Sequence, residues 1–205
     1  MPTRIDILCY EGFDELDAIG PYEVFKSAAE LGAPFDVRLV TLDETKTITA
    51  SHGLRVGIDG VLVTDDPADI VLVPGGGWSN RSEAGAWAEA EKGAVPTALG
   101  KVYDAGATVA SVCTGGMLLA RAGLTDGRPA VTHASALGDL RETAAEVVDA
   151  RVVDDGDLLT AGGVTSGIDL ALHLVAREAG EDIAAQVATE LEYDRRSDIV
   201  VGRDH

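Results

Sequence analysis

Residues 107–122 decide the fold: Ala107-Thr108-Val109-Ala110-Ser111-Val112-Cys113-Thr114-Gly115-Gly116-Met117-Leu118-Leu119-Ala120-Arg121-Ala122. The stretch 107–112 is small, apolar and β-branched, the signature of a buried strand. The chain then turns sharply at Cys113, and glycines open a helix over 116–122. A strand that passes through a tight turn into a helix is the unit of a parallel βαβ fold.

The same alternation extends in both directions. Toward the N-terminus, 70–73 (Ile-Val-Leu-Val) is a continuous apolar run of the kind buried in a parallel sheet, and it ends at Pro74-Gly75-Gly76-Gly77. Residues 37–40 and 5–10 read as two earlier strands, and a helix between them spans 21–31 with Pro21 in its first turn. Residues 47–63, with Gly53, Gly57 and Gly60, read as a hairpin or excursion. A helix before the central strand shows Val95, Ala98, Leu99 and Val102 at helical spacing. Toward the C-terminus, Val131, Val152-Val153 and 158–161 mark strands. Ile168, Ala171, Leu172 and Val175 line one later helix, and Ile183, Val187 and Leu191 the last. The expected architecture is a flavodoxin-like three-layer α/β sandwich with a mainly parallel sheet and a nucleophile elbow. It forms a single domain over 1–194, and 195–205 is a polar C-terminal tail.

The 205 residues suit one domain able to bury about 70% of its unfolded surface, without disulfide or metal staples. A formal net charge of −19 repels phosphates and anionic headgroups, which excludes nucleic acid and membrane surfaces as expected partners. Scarce lysine among abundant carboxylates fits either high-salt adaptation or an ordinary acidic protein. No apolar run approaches the roughly 20 residues of a membrane helix, and no leader pattern opens the chain, so a cytoplasmic protein is expected. The two cysteines, Cys9 and Cys113, and the scattered histidines, His52, His133, His173 and His205, form no metal-binding pattern. No metal or cofactor is expected.

Ligands of such folds bind beyond the carboxyl ends of the strands. That rule selects the loops 11–20, 74–80, 113–116, 132–136 and 162–167. Cys113 sits where a nucleophile elbow exposes its side chain, beside a helix N-terminus expected to lower its thiol pKa; a small buried cysteine that merely packs there fits the same pattern. Cys9, within the first strand, reads as packing. Asp17 follows the first strand and reads either as a site acid or as an ordinary helix N-terminal acid. Gly75 and Gly76 offer backbone N–H groups to developing negative charge, or simply make a tight turn. His133, twenty residues beyond Cys113, is either its catalytic partner or a structural histidine. The run 162–167 lacks the lysine of a phosphate loop and reads as a strand-to-helix turn capped by Thr165 or Ser166, lining the site at most.

At 15–25, 69–77, 111–133 and 159–175 the sequence resembles the ThiJ/PfpI superfamily of glutamine-amidotransferase-like proteins, most of all its isonitrile hydratase branch. The resemblance implies a nucleophile at Cys113, an acidic partner at Asp17 and a neighbouring threonine at Thr114. It also implies an anion-stabilising loop at Gly75, Gly76 and the Thr114 backbone, and a homodimer acting on a small electrophilic substrate. Peptidase-like members carry His where Thr114 stands, and glutamine amidotransferases carry His-x-Glu where Val164-Thr165-Ser166 stands. Regulators of the superfamily append a DNA-binding domain that this chain has no room for. Thr132-His133-Ala134 replaces the Thr-His-Trp of many hydratase-like members, which reshapes the pocket. The implied activity is addition of water to an isonitrile, giving an N-substituted formamide. A glyoxalase- or deglycase-like activity on 2-oxoaldehydes, with His133 as proton shuttle, and a non-enzymatic cysteine redox or stress sensor use the same Cys113.

Overall fold

The computed structural model describes residues 1–196 and 198–202. Ser197 and 203–205 of the tail, His205 among them, lie outside the described residues. In chain order the first half contains β1 (Thr3–Leu8), α1 (Glu15–Glu30), β2 (Phe35–Thr41), β3 (Thr47–Thr49), β4 (Arg55–Gly57), β5 (Gly60–Val61) and β6 (Ile70–Val73). Then come α2 (Ala86–Lys92), α3 (Ala94–Asp104), β7 (Thr108–Val112), α4 (Gly115–Arg121) and β8 (Pro129–Ala130). A 3₁₀ turn at Ala134–Ala136 leads into α5 (Leu137–Arg141), β9 (Glu146–Val147), β10 (Val152–Asp154) and β11 (Leu158–Ala161). The chain closes with α6 (Ser166–Ala179), α7 (Glu181–Glu190) and β12 (Ile199–Val201).

Eight strands form one sheet in the order β12-β10-β11-β7-β6-β1-β2-β5, parallel throughout except for the antiparallel β10–β11 pair. From β1 the chain steps outward to β2, whereas from β6 it steps the other way to β7. Right-handed crossovers in opposite directions place their helices on opposite faces. Accordingly α1, α6 and α7 pack together, and α2, α3 and α4 pack together. All four residues of β6 are buried, as a strand covered on both faces requires. The sandwich read from the alternation is the observed fold. The segment 47–63 holds the antiparallel β3–β4 hairpin.

Two local expectations are corrected. The first helix begins at Glu15, capped by Asp14, whose carboxylate accepts from the Leu16 N–H at 3.2 Å. Pro21 therefore lies inside the helix and not in its first turn. It has no N–H to give the Asp17 carbonyl, and it packs against α6, where a Cβ on Gly167 would lie 3.3 Å from its Cγ. The polar tail over 195–205 contains β12, which pairs in parallel with β10 as the outermost strand. Ile199-Val200-Val201 is an apolar β-branched run too short to stand out from its charged flanks.

Candidate active site

The neighbouring strands β11, β7, β6 and β1 run parallel, so the loops at their carboxyl ends converge. The β1–β6 boundary is also where strand order reverses, and there the emerging loops diverge and leave a crevice. Cys113 follows β7, Gly75 and Gly76 follow β6, and Gly163-Val164 follows β11. Asp17 sits in the first turn of α1, after β1. The Tyr10 hydroxyl donates to the Pro74 carbonyl at 2.5 Å and ties the ends of β1 and β6 together.

Cys113 adopts φ +58°, a left-handed conformation that costs a non-glycine residue on the order of 1–3 kcal/mol. Its surroundings hold it there. The Cys113 N–H donates to the carbonyls of Ala161 (3.1 Å) and Gly162 (2.9 Å), and the Thr132 hydroxyl donates to the Cys113 carbonyl at 2.8 Å. This is the strained elbow expected from the glycine-flanked turn. The side chain is buried.

Asp17 is completely buried. Its Oδ2 accepts from the Gly75 N–H at 3.0 Å; the Cys113 thiol faces the same carboxyl, and Oδ1 is buried with no other partner among the described residues. Burial, reinforced by the charge of Asp14, pushes its carboxyl up to about 8. Across from it the Cys113 thiol is pushed up to about 12 by burial and by the charge of Asp17. The backbone N–H groups of Val164 and Thr114 lie toward the sulfur and pull the other way. The lowered thiol pKa expected from the helix N-terminus is thus reversed. Removing water from the sulfur and placing a carboxylate beside it outweighs two amides.

The glycine loop also differs from expectation. Its two amides, read as donors to a developing anion, have other partners: Gly75 N–H serves Asp17, and Gly76 N–H donates to Thr114 Oγ1 at 2.9 Å. They position the acid and the threonine instead. Glycine is required at 75 by contact, because a Cβ there would lie 2.5 Å from both N and Oγ1 of Thr114. Thr114 is buried beside them.

His133 stands at the rim. Its ring packs on Gly163, where a Cβ would collide with Cδ2 and lie 3.0 Å from Nε2. Its Nδ1 faces Ser135, and Ser135 in turn meets Ser79 of the glycine loop. The same loop is pinned by the Trp78 indole, which donates to Asp139 at 2.6 Å.

Val164, given only a lining role at most from the sequence, is brought to the sulfur in a second strained turn, with φ +36°. The one signal for it was its place among glycines after a strand. Cys9 is buried with its thiol also pushed up to about 12, by burial first and then by the charge of Asp59. Among the described residues one set, Asp14, Glu15 and His52, has metal-ligand atoms within 4.8 Å of one another. There the exposed His52 ring already pairs with Glu15 at 2.7 Å. Among the described residues no helix is long and apolar enough to cross a membrane.

Residues 3–177 match the model of the DJ-1/PfpI family. The chain belongs to that family. Isonitrile hydratase of Pseudomonas putida is 35% identical over 194 residues, covering 94% of this chain and 79% of the relative. The family also reaches regulators: the HTH-type transcriptional regulator GbdR of Pseudomonas aeruginosa is 28% identical over 95% of this chain, which spans only 52% of the regulator's length. A deglycase of Thermococcus kodakarensis is 30% identical over 75% of this chain and 86% of its own. Among solved structures, a ThiJ/PfpI family protein of Pseudomonas syringae superposes with a TM-score of 0.82 at 26% identity, covering 96% of this chain and 77% of that one. The DJ-1/PfpI family therefore carries the fold, and it spans more than one activity.

Proposed function

We propose that the protein adds water to an isonitrile, R–NC, to give the N-substituted formamide, with Cys113 as nucleophile and Asp17 as acid and base. The observation that carries this reading is the buried Asp17 carboxyl facing Cys113, pushed up to about 8, so that it holds a proton near neutral pH. Likeness to isonitrile hydratase over nearly the whole chain supports the substrate class.

When the pair has lost one proton, Asp17 is the ionised member and Cys113 keeps its proton; as sulfur attacks, that proton passes to Asp17 and the thiolate charge is met by the Val164 and Thr114 amides. Sulfur bonds to the terminal carbon and the Asp17 proton passes to that carbon, giving R–N=CH–S–Cys113. Water adds to this thioimidate carbon as Asp17, now a carboxylate, accepts one of its protons, and the other passes from the new hydroxyl to the nitrogen. Collapse breaks the C–S bond, releases R–NH–CHO and returns the thiolate with Asp17 protonated. The balance is one isonitrile and one water to one formamide.

The deciding experiment follows formamide production from cyclohexyl isocyanide by wild type and Cys113→Ala, at low and high salt given the charge of −19. Turnover by wild type that vanishes in the variant is the expected result. No turnover at either salt from folded protein removes the hydratase reading. A second reading, action on 2-oxoaldehydes, draws on the deglycase likeness and on His133 at the rim. Methylglyoxal consumption that depends on His133 would replace the first reading with it. Selective oxidation of Cys113 at low peroxide with no turnover of any electrophile would favour the sensor. The hydratase reading includes a homodimer in the cytoplasm, and sedimentation tests the assembly.

A further inference from the structure

The His133 ring nitrogens are not equivalent. Nδ1 accepts from the Ser135 backbone N–H at 3.1 Å. A backbone N–H can only donate, so Nδ1 presents its lone pair and the proton of the neutral ring resides on Nε2. The Ser135 hydroxyl lies 2.7 Å from the same Nδ1 and therefore also donates to it. That leaves the Ser135 oxygen to accept from the Ser79 hydroxyl, 2.6 Å away. A directional chain thus runs Ser79 to Ser135 to His133.

Its two ends are fixed to the parts of the site. Ser79 follows Trp78, whose indole is clamped to Asp139. The Nε2 edge of His133 rests on Gly163, next to the Val164 amide that lies toward Cys113. Thr132, the residue before the histidine, donates to the Cys113 carbonyl.

We infer that Ser135 and Ser79 are positioning residues that hold His133 as an Nε2–H hydrogen-bond donor toward the substrate, and not as a base or proton shuttle. The inference rests on the hydratase reading for its substrate, where the natural acceptor is the isonitrile nitrogen as it gains electron density. It also separates that reading from the 2-oxoaldehyde one, which needs His133 to take up a proton.

The test has a spectroscopic arm and a kinetic arm. Long-range ¹H–¹⁵N spectra, with His133 assigned by its absence in His133→Gln, are expected to show Nε2–H in wild type. Ser135→Ala keeps the backbone N–H on Nδ1 and loses only the hydroxyl donor, so a partial rise in the Nδ1–H fraction is expected, and Ser135→Thr is expected to restore the wild-type pattern. In formamide turnover, His133→Ala is expected to lose about tenfold. His133→Gln, which donates but cannot take up a proton, is expected to stay within about threefold of wild type with an unchanged pH profile. A wild-type ring protonated on Nδ1, or an unaltered tautomer in both Ser135→Ala and Ser79→Ala, overturns the inference. So does a His133→Gln enzyme as impaired as His133→Ala. If no isonitrile is turned over, the hydratase reading fails alone, because the tautomer is read without substrate.

Discussion

Cys9 and Cys113 occupy corresponding places, each just beyond the carboxyl end of a central parallel strand, and both thiols are buried and pushed up to about 12. Burial and an unfavourable thiolate are therefore common to both. What differs is the neighbourhood. The Cys9 N–H continues ordinary sheet pairing to the Val40 carbonyl at 2.8 Å. Cys113 breaks out of the sheet at φ +58°, faces an acid that holds a proton, and has two backbone amides directed at its sulfur. A buried thiol becomes useful when a partner is built to exchange its proton and donors are set to receive its charge.

Cys113→Ala is expected to remove formamide turnover altogether, read by product assay. Asp17→Asn comes next, with a loss of about 10²–10⁴-fold in kcat. The same substitution is expected to stabilise the fold at pH 8. The folded-state carboxyl lies above its unfolded value, so native Asp17 stability is complete below about 4 and declines as pH rises toward about 8. Asparagine has no such dependence, and its Tm should exceed wild type by about 2–8 °C at pH 8, converging at about pH 4. A destabilised Asp17→Asn at pH 8 would mean that the carboxylate is a structural ion.

The pair's first proton leaves near 8. Wild-type kcat/KM is therefore expected to rise about tenfold per pH unit between about pH 6 and 8 and then level. A flat profile across that range would show that the pair does not carry the active proton. Gly75→Ala, which forces a Cβ onto Thr114, is expected to cost about 1–3 kcal/mol of stability, measured by urea unfolding. It is also expected to cost about tenfold in turnover, by moving Asp17 and Thr114. The smallest effect belongs to Cys9→Ala: about 1 kcal/mol of stability and turnover within about twofold. A Cys9→Ala enzyme as dead as Cys113→Ala would erase the distinction.

Much of the fold was legible because parallel strands buried on both faces are runs of apolar, small and β-branched residues, as 70–73 and 107–112 are, and because the helix over 94–104 buries Val95, Ala98, Leu99 and Val102 at helical spacing. The strand Ile199–Val201 was not legible, since a short edge strand depends on β10 for its pairing and carries little pattern of its own. The start of α1 was misread because a proline resembles a first-turn residue, whereas Asp14 supplies the cap.

The site divides the same way. Residue order alone placed Cys113 at an elbow, Asp17 after the first strand and the glycines after another, because local turn chemistry depends on neighbours in the chain. The pairings did not follow from that order. The direction of the thiol's shift, the commitment of the Gly75 and Gly76 amides to Asp17 and Thr114, the Val164 amide at the sulfur and the Ser79–Ser135–His133 chain join residues far apart in sequence. Burial, charge proximity and hydrogen-bond partnership are properties of distance in space, and only the packing of four strand ends side by side sets those distances.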